Sequence, residues 1–164
     1  MAPTTTSGPH GAPVDDQVEV RLMGVPVELH QRTFARIDEL RRELALIDAD
    51  PDAGDVPARV VGLAAEFLGL LGPQLAGDGS ALRAAAAAGH DRVDLTYRVP
   101  TAVTAAVRDV LVRIPGLLDE VDRLSRARDG LLTLAAPEDE VRYRSWVFGD
   151  PVRQLDGSPP TPWT

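Results

Sequence analysis

Apolar and polar residues alternate through Val18, Glu19, Val20, Arg21 and Leu22, the period of a β-strand with one face buried. This strand is predicted over 18–26. Pro26 stops it and suits the first turn of a helix. The period then changes. Ile37, Leu40, Leu44 and Ile47 recur at spacings of three and four, a single apolar seam on a helix predicted over about 27–48. Asp38 and Arg42 form an i,i+4 ion pair on its wet face. The segment 48–55, DADPDAGD, is a loop. Asp55 caps the next helix, and Pro57 lies in its first turn. That helix carries Val60, Leu63, Ala64, Phe67, Leu68 and Leu71, a stripe wide enough for deep burial, and ends at Gly72-Pro73.

Ser80 can cap a short alanine-rich helix that Gly89 closes. RVDLTYRVP at 92–100 reads as a second strand that also ends in proline. A long helical stretch follows over about 101–129, and Pro115-Gly116 must kink or split it. Asp129-Gly130 ends it, and LLTLAAP is extended or a turn. Glu138, Asp139 and Glu140 open the last helix, where the helix dipole favours acids. Its predicted seam is Val141, Ser145, Phe148, Val152 and Leu155, with Pro151 as a kink.

The two strands match each other. Val18, Val20 and Leu22 align with Val93, Leu95 and Tyr97, and both strands run into Val-Pro. The first has one extra residue near Gly24, which suits a β-bulge. Past each proline the match continues: Leu29 with Val103, Ile37 with Leu111, Leu40 with Ile114, Leu44 with Leu118, Ile47 with Val121. Thr33 opposite Val107 is the polar exception. This suggests two strand–helix units about a pseudo-two-fold axis, although amphipathic periodicity alone forces much of such a match. The strands are expected to pair in one sheet, since a lone strand leaves its backbone unsatisfied. The fold class is therefore mainly α (α+β): four to five helices and a small two-stranded sheet. The expected organisation is a disordered tail over 1–16, a single helical domain over 17–157 and a Pro-rich tail over 158–164.

Composition narrows the chemistry. At 164 residues the chain can bury roughly 70% of its unfolded surface without staples. It has no cysteine, which removes disulfides and thiolate chemistry, and no lysine, which removes Schiff-base chemistry. A net charge of −8 opposes general binding to nucleic acid or anionic membranes. The N-terminus lacks the basic and apolar regions of a signal peptide, and the apolar stretch at 56–76 is broken by Arg59, Glu66 and Gly72-Pro73. A soluble cytoplasmic protein is expected.

Catalytic signals are missing. There is no phosphate-binding glycine motif, no nucleophile elbow and no His pair at metal-ligand spacing, so no enzyme activity, cofactor or metal is expected. His30 reads as a polar residue at a helix edge. The acids at 119–122 and 138–140 read as solvated faces and dipole partners.

The tail stands apart. Four of the seven aromatic residues lie between Arg142 and Trp163. Arg142 and Trp146 are i,i+4 neighbours, a spacing that suits cation–π stacking. Arg142, Tyr143, Trp146, Arg153 and Trp163 are the candidate contacts to a partner or ligand, since Trp, Tyr and Arg dominate interface hot spots. The opposing reading is that the tryptophans pack into the core while the arginines pair with acids. GSPPTPW reads as a turn followed by polyproline II.

DELRREL, VDLTYRVP, LDEVDRL, LLTLAAPE and YRSWVFGDPVRQLDGSPPTPW occur in one order over residues 18–163. In this the chain resembles a poorly characterised group of small actinobacterial proteins associated with partner-switching regulators: anti-sigma kinases, STAS-domain antagonists and their phosphatases. Asp150-Pro151 departs from the pattern, which has a helix-compatible acid–aromatic pair there. The resemblance implies a regulatory setting and no reaction. The resulting expectation is a cytoplasmic protein–protein interaction module; the alternative is a small-molecule sensor with an Arg/Trp-lined pocket. A protein partner is expected, and strand edges and amphipathic seams also invite a homodimer.

Overall fold

Two strands that end in proline leave their backbone groups to each other. In the computed structural model, which describes residues 16–49, 78–127 and 132–164, β1 (Gln17–Pro26) and β2 (Arg92–Pro100) form one antiparallel sheet. The other elements are α1 (Val27–Ala49), α2 (Asp78–Ala87), a 3-10 turn at Thr101–Val103, α3 (Thr104–Ala127) and α4 (Glu138–Leu155). The fold is mainly α with a small sheet. The expected helix at 55–72, the start of the N-terminal tail and the stop at Asp129-Gly130 lie outside the described residues.

The register pairs Val18 with Val99, Val20 with Tyr97 and Leu22 with Leu95, then shifts between Leu22 and Val25. The shift is the expected bulge. Gly24 takes φ +68 there, a conformation that side chains resist, and its N–H donates to Asp94 Oδ1 at 2.6 Å. Val27 N–H, the first of α1, donates to Asp91 O at 2.9 Å, tying the helix start to the entry of β2.

Exposure follows the sequence match at most aligned positions, although Leu22 and Leu111 are buried where their counterparts Tyr97 and Ile37 are half-buried. Val20 and its counterpart Leu95 are buried, as are Val25 and Val99 beyond the bulge. On the helices Thr33 and Val107, Leu40 and Ile114, and Leu44 and Leu118 are all buried. Arg21 sits opposite Thr96, the residue that the strand alignment equates with it.

Pro115 does not split the long helix. Ile114, Leu118 and Val121 are buried on both sides of it, so packing offsets the lost backbone hydrogen bond. Pro151 likewise lies inside α4 and is itself buried. α2 begins at Asp78, two residues before the expected Ser80.

The seam expected on α4 needs correction. Ser145 is exposed and returns its hydroxyl to Val141 O at 2.9 Å. The buried line is Glu140, Tyr143, Arg144, Val147, Phe148, Asp150 and Pro151. Three charged residues lie on that line, and a count of apolar positions passes over them.

Among the described residues, two buried hydroxyls, those of Thr33 and Ser125, have no hydrogen-bond partner, and Thr33 is the deeper of the two. Thr33 is 2% exposed and its hydroxyl has no hydrogen-bond partner. Replacing a buried orphan hydroxyl with a methyl of the same shape removes a desolvation penalty. Thr33→Val is expected to raise unfolding stability by about 1 kcal/mol in urea denaturation; a loss of similar size would contradict the assignment.

Candidate functional site

The C-terminal tail folds back onto the sheet. Gln154, in the last turn of α4, pairs its amide with the outer edge of β1. Its Oε1 accepts from Arg21 N–H at 2.9 Å, and its Nε2 donates to Arg21 O at 2.6 Å. Gly157, at φ +89, turns the chain, and Ser158 N–H closes on Arg153 O at 2.9 Å. Trp163 N–H then donates to Met23 O at 3.0 Å, two residues along the same edge, while Trp163 O accepts from Arg92 Nη1 at 2.9 Å.

Buried Asp150 holds the middle of this return. Its carboxylate accepts from Arg153 Nη1 at 2.7 Å, from Gln154 Nε2 at 2.7 Å and from Thr161 N–H at 3.1 Å. Arg153 also donates to Thr161 Oγ1 at 2.5 Å, and Trp146 Nε1 donates to Thr161 O at 2.9 Å. Every polar group of Thr161 is engaged.

The five tail residues singled out by sequence thus share one cluster. Tyr143 is 0% exposed and meets Trp146 at 5.7 Å and Trp163 at 5.3 Å between ring centroids. The two indoles, both half-buried, lie 5.5 Å apart. Exposed Arg142 stands over the Trp163 ring at 5.8 Å, so its cation–π partner is Trp163 rather than the expected Trp146. With no exposed surface, Tyr143 supports the cluster from beneath and cannot itself touch a partner.

Under Tyr143 lies His30, which is buried rather than at a helix edge. Its Nδ1 is 2.6 Å from the Tyr143 hydroxyl, and its ring stacks on Phe34 at 4.3 Å. Burial lowers the imidazole from its ordinary 6.5 to about 4, and burial raises the phenol. Both groups are therefore neutral at pH 7, joined by a hydrogen bond between α1 and α4.

Charge ties the same helices together. Glu140, read from sequence as a dipole partner, turns inward and accepts from Arg32 Nε at 2.9 Å and Arg36 Nε at 2.7 Å. Arg32 also pairs with Asp139. Asp122, read as part of a solvated face, is buried: its Oδ1 accepts from Ala136 N–H at 2.8 Å. Arg144 Nη2 stands 2.6 Å from Asp122 Oδ2, an ion pair too poorly aligned for a hydrogen bond, and 2.7 Å from Asp119 Oδ1. At the surface, Asp38 and Asp156 are held below the usual carboxylate range, by Arg42 with Arg41 and by Arg108 respectively.

Glu43 and Arg36 fix the short segment after α3, expected to be extended or a turn. Glu43 of α1 accepts from Leu132 N–H, from Thr133 N–H at 2.9 Å and from Thr133 Oγ1 at 2.5 Å. Arg36 Nη1 donates to Leu134 O at 3.0 Å. The backbone is pinned while the side chains of Leu132 and Leu134 remain 91% and 75% exposed. Leu46, one turn beyond Glu43 on α1, is exposed too. The signal was in the sequence, in LLTL beside an acid-rich helix, but apolar residues in a loop do not declare which way they point.

Among the described residues, no group of three or more His, Asp and Glu side chains could hold a metal ion, and no helix is long and apolar enough to cross a membrane. No family model, no curated protein and no solved structure matches the chain.

Between pH 6.5 and 4 the unfolded chain takes up a proton on His30 that the folded chain refuses, so stability falls as pH falls. The loss attributable to this group reaches about 3 kcal/mol below pH 4. Denaturation of wild type and His30→Gln across this range is expected to show a shallower pH slope in the variant; equal slopes would contradict the assignment. Trp163→Ala, which removes a half-buried ring and loosens the tail, is expected to cost about 2 kcal/mol and to shift Trp146 fluorescence to the red. An unchanged melting temperature would show the tail to be undocked.

Proposed function

We propose that this chain is a cytoplasmic regulatory protein–protein interaction module, acting in a partner-switching pathway of stress or sigma-factor control. The observation that carries the reading is the pair Leu132 and Leu134, almost wholly exposed on a backbone that Glu43 and Arg36 hold still. Flexible loops lose conformational freedom when they bind; a pinned segment has already lost it, so its apolar side chains add affinity at little further cost. Exposed leucines that lie close together on fixed backbone are the kind of apolar surface that a partner can cover. The resemblance of the tail and of the LLTLAAPE segment to proteins of partner-switching systems supports the setting. Arg142 and Trp163, at the rim of the tail cluster, are further contact candidates.

A sensor of small molecules is the second reading. It is favoured by an open cleft of about 530 Å3 between the start of α1 and the turn from α2 to β2, lined by Leu29, Arg32, His90 and Asp91 among others. That volume is within the range of ligand sites. It lies away from the Arg/Trp cluster, where Trp146 Nε1 and Arg153 Nη1 are already engaged.

The two readings separate by substitution. Affinity capture with wild type and with Leu132→Ser/Leu134→Ser is expected to return a reproducible protein that the double variant holds at least about tenfold more weakly, with an unchanged melting temperature. Equal capture by both, or no reproducible protein, would count against the interaction surface; a metabolite that raises the melting temperature would favour the sensor.

A further inference from the structure

The two outer edges of the sheet are treated differently. On β1, Arg21 turns its N–H and C=O away from β2 and onto Gln154, and Met23 O takes Trp163 N–H. Residues that face each other in an antiparallel pair point their backbone groups in the same sense, inward or outward. Thr96, opposite Arg21, therefore turns its N–H and C=O outward, and the period of two extends this to Asp94 and Arg98. No described residue pairs with these outward groups.

Charge along this edge has a matching gap. The cross-strand neighbour of Arg98 is Glu19, but Glu19 Oε1 is taken by Arg21 at 2.6 Å. Arg98 is exposed and makes no ion pair with another described residue. Asp94 gives Oδ1 to Gly24, which leaves Oδ2 available.

We propose that β2 pairs antiparallel with β2 of a second copy, with Thr96 on the two-fold axis and Arg98 of each chain facing Asp94 of the other. The register follows from charge. Centring on Asp94 or Arg98 puts like charges on the axis, and centring on Leu95 faces Arg92 with Arg98. Centring on Thr96 matches Asp94 to Arg98 twice, and the outward groups of three residue pairs exchange roughly six backbone hydrogen bonds. On the core side it sets Leu95 beside Tyr97 of the other copy. The product is a four-stranded sheet whose two outer edges are the β1 edges already closed by the tail. A two-stranded sheet is marginal, whereas four strands backed by helices are stable.

The chain has no cysteine, so a single introduced thiol reports on the axis without background. Directly opposed residues of a hydrogen-bonded pair have Cα atoms about 5.5 Å apart, within disulfide range. Full-length Thr96→Cys is expected to form a dimer-linking disulfide under mild oxidation far faster than Asp109→Cys on the exposed face of α3. Light scattering over a concentration series is expected to give a dimer for wild type. Arg98→Asp, which faces acid with acid, is expected to weaken it by about tenfold. Thr96→Pro, which removes only an outward N–H, is expected to give a monomer with unchanged far-ultraviolet circular dichroism. Leu132→Ser/Leu134→Ser is expected to leave the dimer intact, which separates this interface from the proposed partner surface. A monomer at every concentration would overturn the proposal, as would equal oxidation of the two cysteine variants or a dimer indifferent to Arg98→Asp.

Discussion

A sheet of two strands has as much unpaired edge as paired backbone, and that constraint organises the molecule. β1 can be half-satisfied by β2. Its other edge must be closed by something else, because an open strand edge pairs with whatever strand it meets. Here the closure comes from the end of the same chain. Gln154 imitates one residue of a neighbouring strand with its amide, and Trp163 supplies a backbone donor two residues further along. Asp150 matters because it orients both parts: one buried carboxylate takes Gln154, Arg153 and the Thr161 amide together. A carboxylate with several donors is cheaper to bury than one with a single partner. The aromatic cluster follows from the same return, since the tail must pass over Trp146 and Tyr143 to reach β1.

The helices are joined by polar contacts as much as by apolar ones. His30 and Tyr143 link α1 to α4 through one neutral hydrogen bond. Glu140 links the same helices through two arginines, and Asp122 with Arg144 links α3 to α4. Such networks favour one arrangement over others that would leave a charge unpaired. They also explain how the extended segment after α3 is held still. Its backbone is bound to acids and an arginine that are fixed by the core, while its leucines are left outside.

Much of the fold was legible in the sequence, for a definite reason. Strand and helix periods are set by the apolar face, so β1, β2, α1 and α3 lie close to where the pattern put them. The bulge at Gly24 and the internal match of the two strand–helix stretches are visible in the same way. The pattern failed on α4, where the buried line carries Glu140, Arg144 and Asp150. Burial of a charged residue depends on a partner far along the chain, and no local period records it. The same holds for His30, whose burial requires Tyr143 at a distance of 113 residues. Their density of aromatics and arginines marks the tail residues as a group, and they do lie together. Their direction was not legible, because a tryptophan that docks on its own chain and one that waits for a partner have the same local sequence. Leu132 and Leu134 carry no such mark, because a loop has no period against which an exposed residue stands out.

The residues from Gln154 to Trp163 are a structural part of the sheet rather than an appendage. Amide hydrogen exchange tests it most directly, at the N–H groups of Arg21 and Trp163. Among the described residues their acceptors are Gln154 Oε1 and Met23 O. Both are expected to exchange as slowly as amides within the β1–β2 ladder, since opening either requires the tail to undock. Exchange at the rate of a free peptide, with the ladder still protected, would contradict it.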